Sequence, residues 1–475
     1  MTGFEITRIP EPKLVFAEGQ EKKDPRAGLL EHGPCPISEK VDIEVVSVGI
    51  VGSSRSISRM EELLRGMRTG IRSKKKRKRW KQNFPGFDSK TGIGIDYQTL
   101  DKWKGRIRPD DMRQIEELPD RDDRVDFALK LFNSHISRIC SQTPKPDVVF
   151  VPIPQRIVDC CSDPNTDTQR IRTETTNFRS QIKITGMKNR TPTQILLPRT
   201  LYQEGEDVQE ESELAWNLAV GMLYKAREGR PWKLAKLRSR TCYAGISFYK
   251  ERGDDGETRA ALAQVFIEDG RNFVIEGGQV EDISGDDRPG ETHLAREDAK
   301  RLAENILEQY GQYRDVYPDR FVLHKSSNFL EEEAKGFSNG AEGINEKEFV
   351  AIRDNHPFRL FPKTGDNPAL RGSLAIPPGR HECYLYTQGY VPEQSVYNGP
   401  GTPNPIVIQP HEEYFSQDYR RLCQEILSFT KLDWNSSDFC KHLPVTLSIA
   451  ESVGDILAEP EASDINLDTH YYYYM

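Results

Sequence analysis

Hydrophobic residues in this chain fall into short runs separated by longer stretches of helical period. The first run, VDIEVVSVGIV at residues 41–51, reads as a buried strand. It leads into a Gly/Ser turn, GSSRSIS, and then a helical repeat, RMEELLRGM. The pattern then repeats. RVDFALKLFNSHISRIC has helical period, and PDVVFVPIP at residues 146–154 is a short apolar strand. TNFRSQIKITGM is helical, TPTQILLPRTL is a second strand, and ESELAWNLAVGMLYKARE is a long helix. Strand and helix alternating through residue 230 predict a mostly parallel sheet flanked by helices.

Beyond Thr241 the order changes. TCYAGISFYKE, TRAALAQVFIED and NFVIEGGQV are three consecutive strands; a helix follows, HLAREDAKRLAENILEQY, and then a fourth strand, RFVLHKSS. This is the element order of an RNase H-like core. EFVAIRD, ECYLYTQGYV and PIVIQP add strands, and DYRRLCQEILSFTKL and TLSIAESVGDILA close the pattern as helices. Polar, Pro-rich residues 1–40 read as an extended arm or a short edge element. The fold class expected is α/β throughout.

At 475 residues the chain is long enough for two or three domains, which excludes a peptide hormone or a small disulfide scaffold. With 36% hydrophobic and 29% charged residues, it can build real cores joined by long polar loops. A net charge of −8 excludes a globally basic nucleic-acid binder but not a locally basic one. The eight cysteines are scattered without a CxxC pair, and adjacent Cys160-Cys161 lacks zinc-knuckle spacing, so all are expected as reduced thiols. No apolar run reaches the ~18 residues of a membrane helix, and MTGFEITRIPEPK has no signal core. A cytoplasmic protein is expected.

Positive charge is concentrated in three places. SKKKRKRWK, residues 73–81, reads first as a solvated loop, next as a nucleic-acid backbone contact, and last as a nuclear address. Residues 170–199 hold seven Lys/Arg against one acid, and residues 225–240 again hold seven against one. Arg179 and Lys183 are spaced i, i+4, so a helix places both on one face, and Gln194 opens a strand just beyond. Two cations, an amide and a helix end suit a terminal phosphate. Taken alone, the same residues fit a set of solvated charges better than a phosphate site.

Several of these segments, in order, resemble a short prokaryotic Argonaute consisting of MID and PIWI domains only. They are PDVVFVPIP, NFRSQIKITGMKNRTPTQILLPRTL, NLAVGMLYKAREGRPWKL, YAGISFY, RFVLHKSS, LYTQGYVP with GTPNPI, and LPVTLSIAESVGDIL. The resemblance covers roughly residues 40 to 455. It implies an N-terminal arm at 1–40, a Rossmann-like MID domain at 41–232, an RNase H-like PIWI domain at 233–457, and an acidic Tyr-rich tail at 458–475.

In that family the MID domain anchors the 5′-phosphate of a guide strand. The resemblance assigns this role to Arg179, Lys183, Gln194 and Lys225. Arg179 departs from the family's aromatic or His, exchanging stacking for a bidentate phosphate contact. The family often bridges guide phosphates with Mg2+, using the glutamine oxygen and the chain's C-terminal carboxylate. Gln194 is the first of these ligands here, whereas the tail beyond the PIWI helices argues against the second. Lys74, Lys75, Lys76, Arg77, Lys78, Arg79 and Lys233 are expected along the nucleic-acid backbone.

Slicing relatives hold two metal ions on acids. The resemblance places Ser247 (Gly245-Ile246-Ser247) and Ser326 (Lys325-Ser326-Ser327) where two aspartates would stand. Glu291 and Glu451 are the nearest candidates for the remaining acids, and they do not replace the two central ones. An inactive nuclease is therefore expected, with a guide-directed metal-dependent nuclease as the alternative. Inactive short Argonautes pair a guide RNA with invading single-stranded DNA. They activate an APAZ-containing effector, most often a sirtuin-like or TIR NADase, as an abortive-infection response. No dinucleotide fingerprint in this chain supplies that chemistry. The tail reads either as a disordered segment or as an occupant of a basic channel. Trp232, Tyr243, Phe248 and the cysteine pair are expected in packing, and His324 at a strand end.

Overall fold

In a computed structural model, the described residues are 3–35, 45–74, 82–87, 93–162, 171, 177–205, 208–227, 230–250, 258–267, 272–276, 292–354, 356–365, 367–392, 394–397, 399, 401–459, 462 and 470–475. The strands are β1 (Glu5–Arg8), β2 (Leu14–Val15), β3 (Glu21–Lys22), β4 (Val45–Ser53), β5 (Asp96–Gln98), β6 (Lys104–Ile107), β7 (Val148–Pro152), β8 (Thr193–Leu196), β9 (Lys233–Leu234), β10 (Thr241–Lys250), β11 (Thr258–Ile267), β12 (Asn272–Glu276), β13 (Arg320–Lys325), β14 (Glu346–Arg353), β15 (Ser373–Ile376), β16 (Cys383–Leu385) and β17 (Ile406–Pro410). The helices are α1 (Pro25–His32), α2 (Ser54–Thr69), α3 (Pro109–Glu117), α4 (Arg121–Cys140), α5 (Gln155–Cys161), α6 (Phe178–Lys188), α7 (Pro198–Tyr202), α8 (Glu211–Arg227), α9 (Arg296–Arg314), α10 (Glu331–Gly340), α11 (Tyr419–Phe429), α12 (Val445–Ser448) and α13 (Ala450–Leu457).

β4 explains the first sheet. Its residues Val46 to Gly52 are all buried, the mark of a central strand covered on both faces. It pairs in parallel with β7, and β7 pairs in parallel with β8. On its other edge, β4 pairs first with β5 and then with β6. Apolar residues of α2 and α8 cover one face, and those of α4 and α5 cover the other. The structure shortens the turn read at GSSRSIS. Ser53 accepts a hydrogen bond from the Ser56 amide, so the helix begins at Ser54. TPTQILLPRTL likewise divides, because Pro198 sits at the first position of α7 and ends the strand before it.

The second sheet has nine strands in the order β1-β15-β16-β17-β14-β13-β10-β11-β12. α9 and α10 bury their apolar stripes on one face, and α11 packs on the opposite face. ECYLYTQGYV contributes only β16. The N-terminal arm is an integral part of this sheet. β1 pairs antiparallel with β15, and Ile9 enters the core. Glu11 then forms ion pairs with the buried cations Arg371 and Lys431, both at 2.8 Å. β2 joins the arm to β9, where Val15 lies opposite Lys233.

Candidate nucleic-acid interface

α6 carries the densest part of the predicted site. The Asn177 side chain caps it, accepting from the amides of Arg179 (3.0 Å) and Ser180. Phe178 and every residue from Ser180 to Met187 are buried, so Lys183 is carried into the interior rather than onto a solvated face. α13 and the segment after it dock against this helix. Ser180 Oγ donates to the Asp455 carbonyl at 3.0 Å. The Glu459 carboxylate accepts from the Asn177 amide at 3.0 Å and from Gln181 Nε2 at 2.9 Å.

The four residues expected to hold a phosphate come together. Lys183 and Lys225 are each only 2% exposed. Lys183 Nζ donates to the main-chain oxygens of Thr193 and Met475. Lys225 Nζ donates to Gln194 Oε1 and, at 3.2 Å, to the same Met475 oxygen. Arg179 Nη2 donates to the Tyr474 carbonyl at 3.1 Å. Burial is the main force on both ammoniums, and neighbouring cations add to it. Lys183 is held well below the ordinary lysine range, with Lys225 and Arg179 contributing. Lys225 is lowered to about 7, with Arg179 contributing.

Sequence reasoning missed the end of the chain as a wall of this pocket. Tyr471, Tyr473, Tyr474 and Met475 are buried in the core shared with α8. Tyr224 of α8 contacts the rings of Tyr471 and Tyr472 at 6.1 and 6.0 Å between centroids. The reading of a disordered tail is therefore corrected at residues 470–475. Aromatic burial draws the segment back onto α6 and α8, so that a Met475 oxygen does lie near Gln194, both accepting from the Lys225 ammonium. A run of four tyrosines was the signal for packing.

Of the predicted backbone contacts, Lys74 is exposed and its amide donates to Glu210. Lys75, Lys76, Arg77, Lys78 and Arg79 lie outside the described residues. Lys233 is half-buried in β9, beside Trp232, whose indole donates to the Lys431 carbonyl at 2.8 Å. All eight cysteines are free thiols.

At the second candidate site, β10 and β13 run parallel with Ile246 opposite Lys325. Ser247 follows Ile246 on β10 and is half-buried, and Ser326 directly follows the end of β13 and is exposed. Gly245 lies opposite His324, and a Cβ on Gly245 would sit 1.7 Å from the Thr446 carbonyl. Only glycine lets α12 approach the sheet this closely. His324 stands next to last in β13, at the strand end expected for it, and is buried there, with its Nδ1 2.9 Å from Thr446 Oγ1. Burial lowers its pKa to about 3. Lys325 is fully buried against Glu333 at 2.5 Å, with His293 Nδ1 3.2 Å from its ammonium. Glu291 lies outside the described residues. Glu451 belongs to α13.

No family model and no curated protein matches the sequence. Solved structures do match. Clostridium butyricum Argonaute, bound to a guide DNA and a 19-mer target DNA, aligns with a TM-score of 0.64 at 16% identity over 96% of this chain and 53% of its own. The Argonaute of Aquifex aeolicus aligns with a TM-score of 0.57 at 17% identity over 100% of this chain and 57% of its own. Drosophila Piwi aligns with a TM-score of 0.60 at 13% identity over 99% of this chain and 56% of its own. The chain thus has the MID–PIWI fold of Argonaute and Piwi proteins and spans about half the length of these structures.

Proposed function

We propose that this chain anchors the 5′-phosphate of a short guide RNA between Arg179, Lys183, Gln194 and Lys225. With that guide it recognises invading single-stranded DNA in prokaryotic defence. The observation that carries the reading is the pair of buried ammoniums, Lys183 and Lys225, which meet only main-chain and amide oxygens among the described residues. A terminal phosphate carries nearly two negative charges and several acceptor oxygens, which this donor set lacks a side-chain carboxylate to replace. The likeness to an Argonaute bound to guide and target DNA supports a paired nucleic acid as the ligand. Base pairing would read the target, while the protein holds phosphates and duplex shape.

The Gln194 amide oxygen and the Thr193 and Met475 main-chain oxygens are hard donors of the kind Mg2+ takes. They fit the ion together with a phosphate, whose charge would offset the two ammoniums. Gln194, Thr193 and Met475 would hold the ion, whose charge would offset that of the guide phosphate.

Ser247 and Ser326 stand where a two-metal nuclease needs carboxylates, and a neutral hydroxyl does not neutralise divalent ions. Target cleavage is therefore assigned to no residue of this chain. The catalytic output is assigned to an APAZ-containing partner, a sirtuin-like or TIR NADase.

The test is binding of 5′-phosphorylated and 5′-hydroxyl short RNA by the chain with its partner, in wild type and in Lys183→Ala. A phosphate preference lost in the variant supports the reading. Equal, weak binding of both RNAs overturns it. Metal-dependent cleavage of a paired target would favour the nuclease alternative.

A further inference from the structure

Of the eight cysteines, only Cys160 and Cys161 stand side by side, at the C-terminal end of α5. Their sulfurs lie 3.5 Å apart. Cys160 is half-buried, which leaves it within reach of a small solute, whereas Cys161 is buried in the core that α4, α5 and α6 share. Cys383 and Cys423 have a similar sulfur separation of 3.6 Å, but both are fully buried under the second sheet. Cys440, the other half-buried cysteine, donates from its sulfur to the Thr387 carbonyl at 3.7 Å, and burial raises its pKa. A neighbouring thiol and access from solvent therefore coincide at Cys160.

The surroundings give the two thiols different roles. The hydrogen bond with Cys161 holds the Cys160 thiol below its ordinary pKa, and Arg124 contributes, against the pull of burial. Arg124 is fixed there by its Nε, which donates to the Cys160 carbonyl at 2.8 Å. The same hydrogen bond, together with burial, holds Cys161 above its ordinary value. The sulfur with thiolate character is the nucleophile, and its protonated neighbour is placed to resolve the product.

Hydrogen bonds connect this pair to α6. The Ser162 amide donates to the Val158 carbonyl at 2.9 Å and closes α5. Ser162 also forms an antiparallel bridge with Ile171, whose carbonyl accepts from the Phe178 amide at 3.1 Å. Phe178 opens α6, the helix of Arg179 and Lys183. Cys161, Ile171 and Phe178 share one apolar cluster.

We infer that Cys160 and Cys161 are a peroxide-sensitive thiol pair whose oxidation loosens the start of α6. The Cys160 sulfur attacks hydrogen peroxide and the O–O bond breaks. Hydroxide leaves and takes the Cys160 proton as water, so Cys160 becomes a sulfenic acid. The Cys161 sulfur attacks the Cys160 sulfur, the S–O bond breaks and an S–S bond forms. The departing hydroxide takes the Cys161 proton as a second water. Two thiols are oxidised and one peroxide is reduced. Adjacent Cα atoms are about 3.8 Å apart across a trans peptide, below the roughly 4.4–6.8 Å that disulfides favour. The cross-link therefore distorts the last turn of α5 and moves Ser162 with it. The inference does not depend on the guide reading, because neither measurement below uses RNA.

The test treats the full chain with hydrogen peroxide, blocks the remaining thiols with iodoacetamide and follows every cysteine by mass spectrometry. The peptide carrying Cys160 and Cys161 is expected to lose two hydrogens before Cys440 is modified or Cys383 joins Cys423, and dithiothreitol should restore it. Cys161→Ala should stop at the sulfenic acid, which dimedone traps on Cys160. Amide hydrogen exchange then compares oxidised with reduced wild type. Exchange at Ser162 and Phe178 should quicken by about fivefold or more, the scale of one weakened hydrogen bond, and should not respond to peroxide in Cys160→Ser. Cys160 left as a free thiol, or modified no sooner than Cys440, overturns the inference. A cross-link that leaves exchange at both amides unchanged overturns the coupling to α6.

Discussion

Two buried lysine sites in this protein are built in opposite ways. Lys325, under the second sheet, ends 2.5 Å from the Glu333 carboxylate, with His293 beside it. Burial pulls the Glu333 pKa upward, and the hydrogen bond with His293 and the Lys325 cation together bring it below its ordinary value. That pair is complete within the fold. Lys183 and Lys225, beside the first sheet, are just as buried but meet main-chain and amide oxygens and no side-chain carboxylate among the described residues, with Arg179 raising the local positive charge. A buried charge without a carboxylate is costly to the fold, so such a cluster marks a place where an anion completes the charge balance. The converse feature would be carboxylates at the positions of Ser247 and Ser326, which carry hydroxyls instead, and among the described residues no group of three or more His, Cys, Asp or Glu gathers to hold a metal.

The contrast is most sharply broken at Glu333. Glu333→Ala removes the carboxylate that lies 2.5 Å from the buried Lys325 ammonium, and unfolding by denaturant should show a loss of about 3–5 kcal/mol. A loss under 1 kcal/mol would mean that Lys325 is not held as an ion pair. Lys183→Met should behave the other way, leaving the ligand-free chain as stable as wild type or more so. In the same variant the advantage of 5′-phosphorylated over 5′-hydroxyl RNA should fall by about 2–3 kcal/mol, which competition binding would report as roughly 30–150-fold.

A smaller effect concerns protons. The Lys225 pKa is lowered from 10.5 to about 7 in the folded chain. Between those two values the unfolded chain binds more protons, so this group makes stability rise with pH through that window. A phosphate in the pocket favours the charged lysine. Binding of 5′-phosphorylated RNA at pH 8 should therefore take up protons and weaken from pH 7 to 9. Calorimetry in buffers of different ionisation enthalpy measures the uptake, and a value of zero would remove Lys225 from the site. The smallest expected effect is at the serines. Wild-type protein incubated with guide, paired target and Mg2+ or Mn2+ should cleave no faster than an EDTA control.

Much of this was legible in the sequence. Strand and helix alternation, the three-strand–helix–strand order after Thr241, and the i, i+4 placement of Arg179 and Lys183 all depend on local periodicity. Local periodicity is set by which residues must face a core. The resemblance added Gln194 and Lys225 to the site. The sequence did not show that α6 would be buried nearly all round, which turns solvated cations into desolvated ones. Nor did it show that the arm's β1 would pair with β15, or that the Cys160 and Cys161 sulfurs would lie 3.5 Å apart at the end of α5.

The chain end shows the division most clearly. The sequence alone determined that residues 471–474 are four tyrosines, aromatic surface that water does not favour. Only the tertiary structure decided where that surface goes. It packs against α8 and brings the Met475 oxygen to Lys183 and Lys225, 292 and 250 residues away along the chain. Contacts at such separations depend on how whole elements pack against one another, and no local pattern of hydrophobic and polar residues specifies that packing.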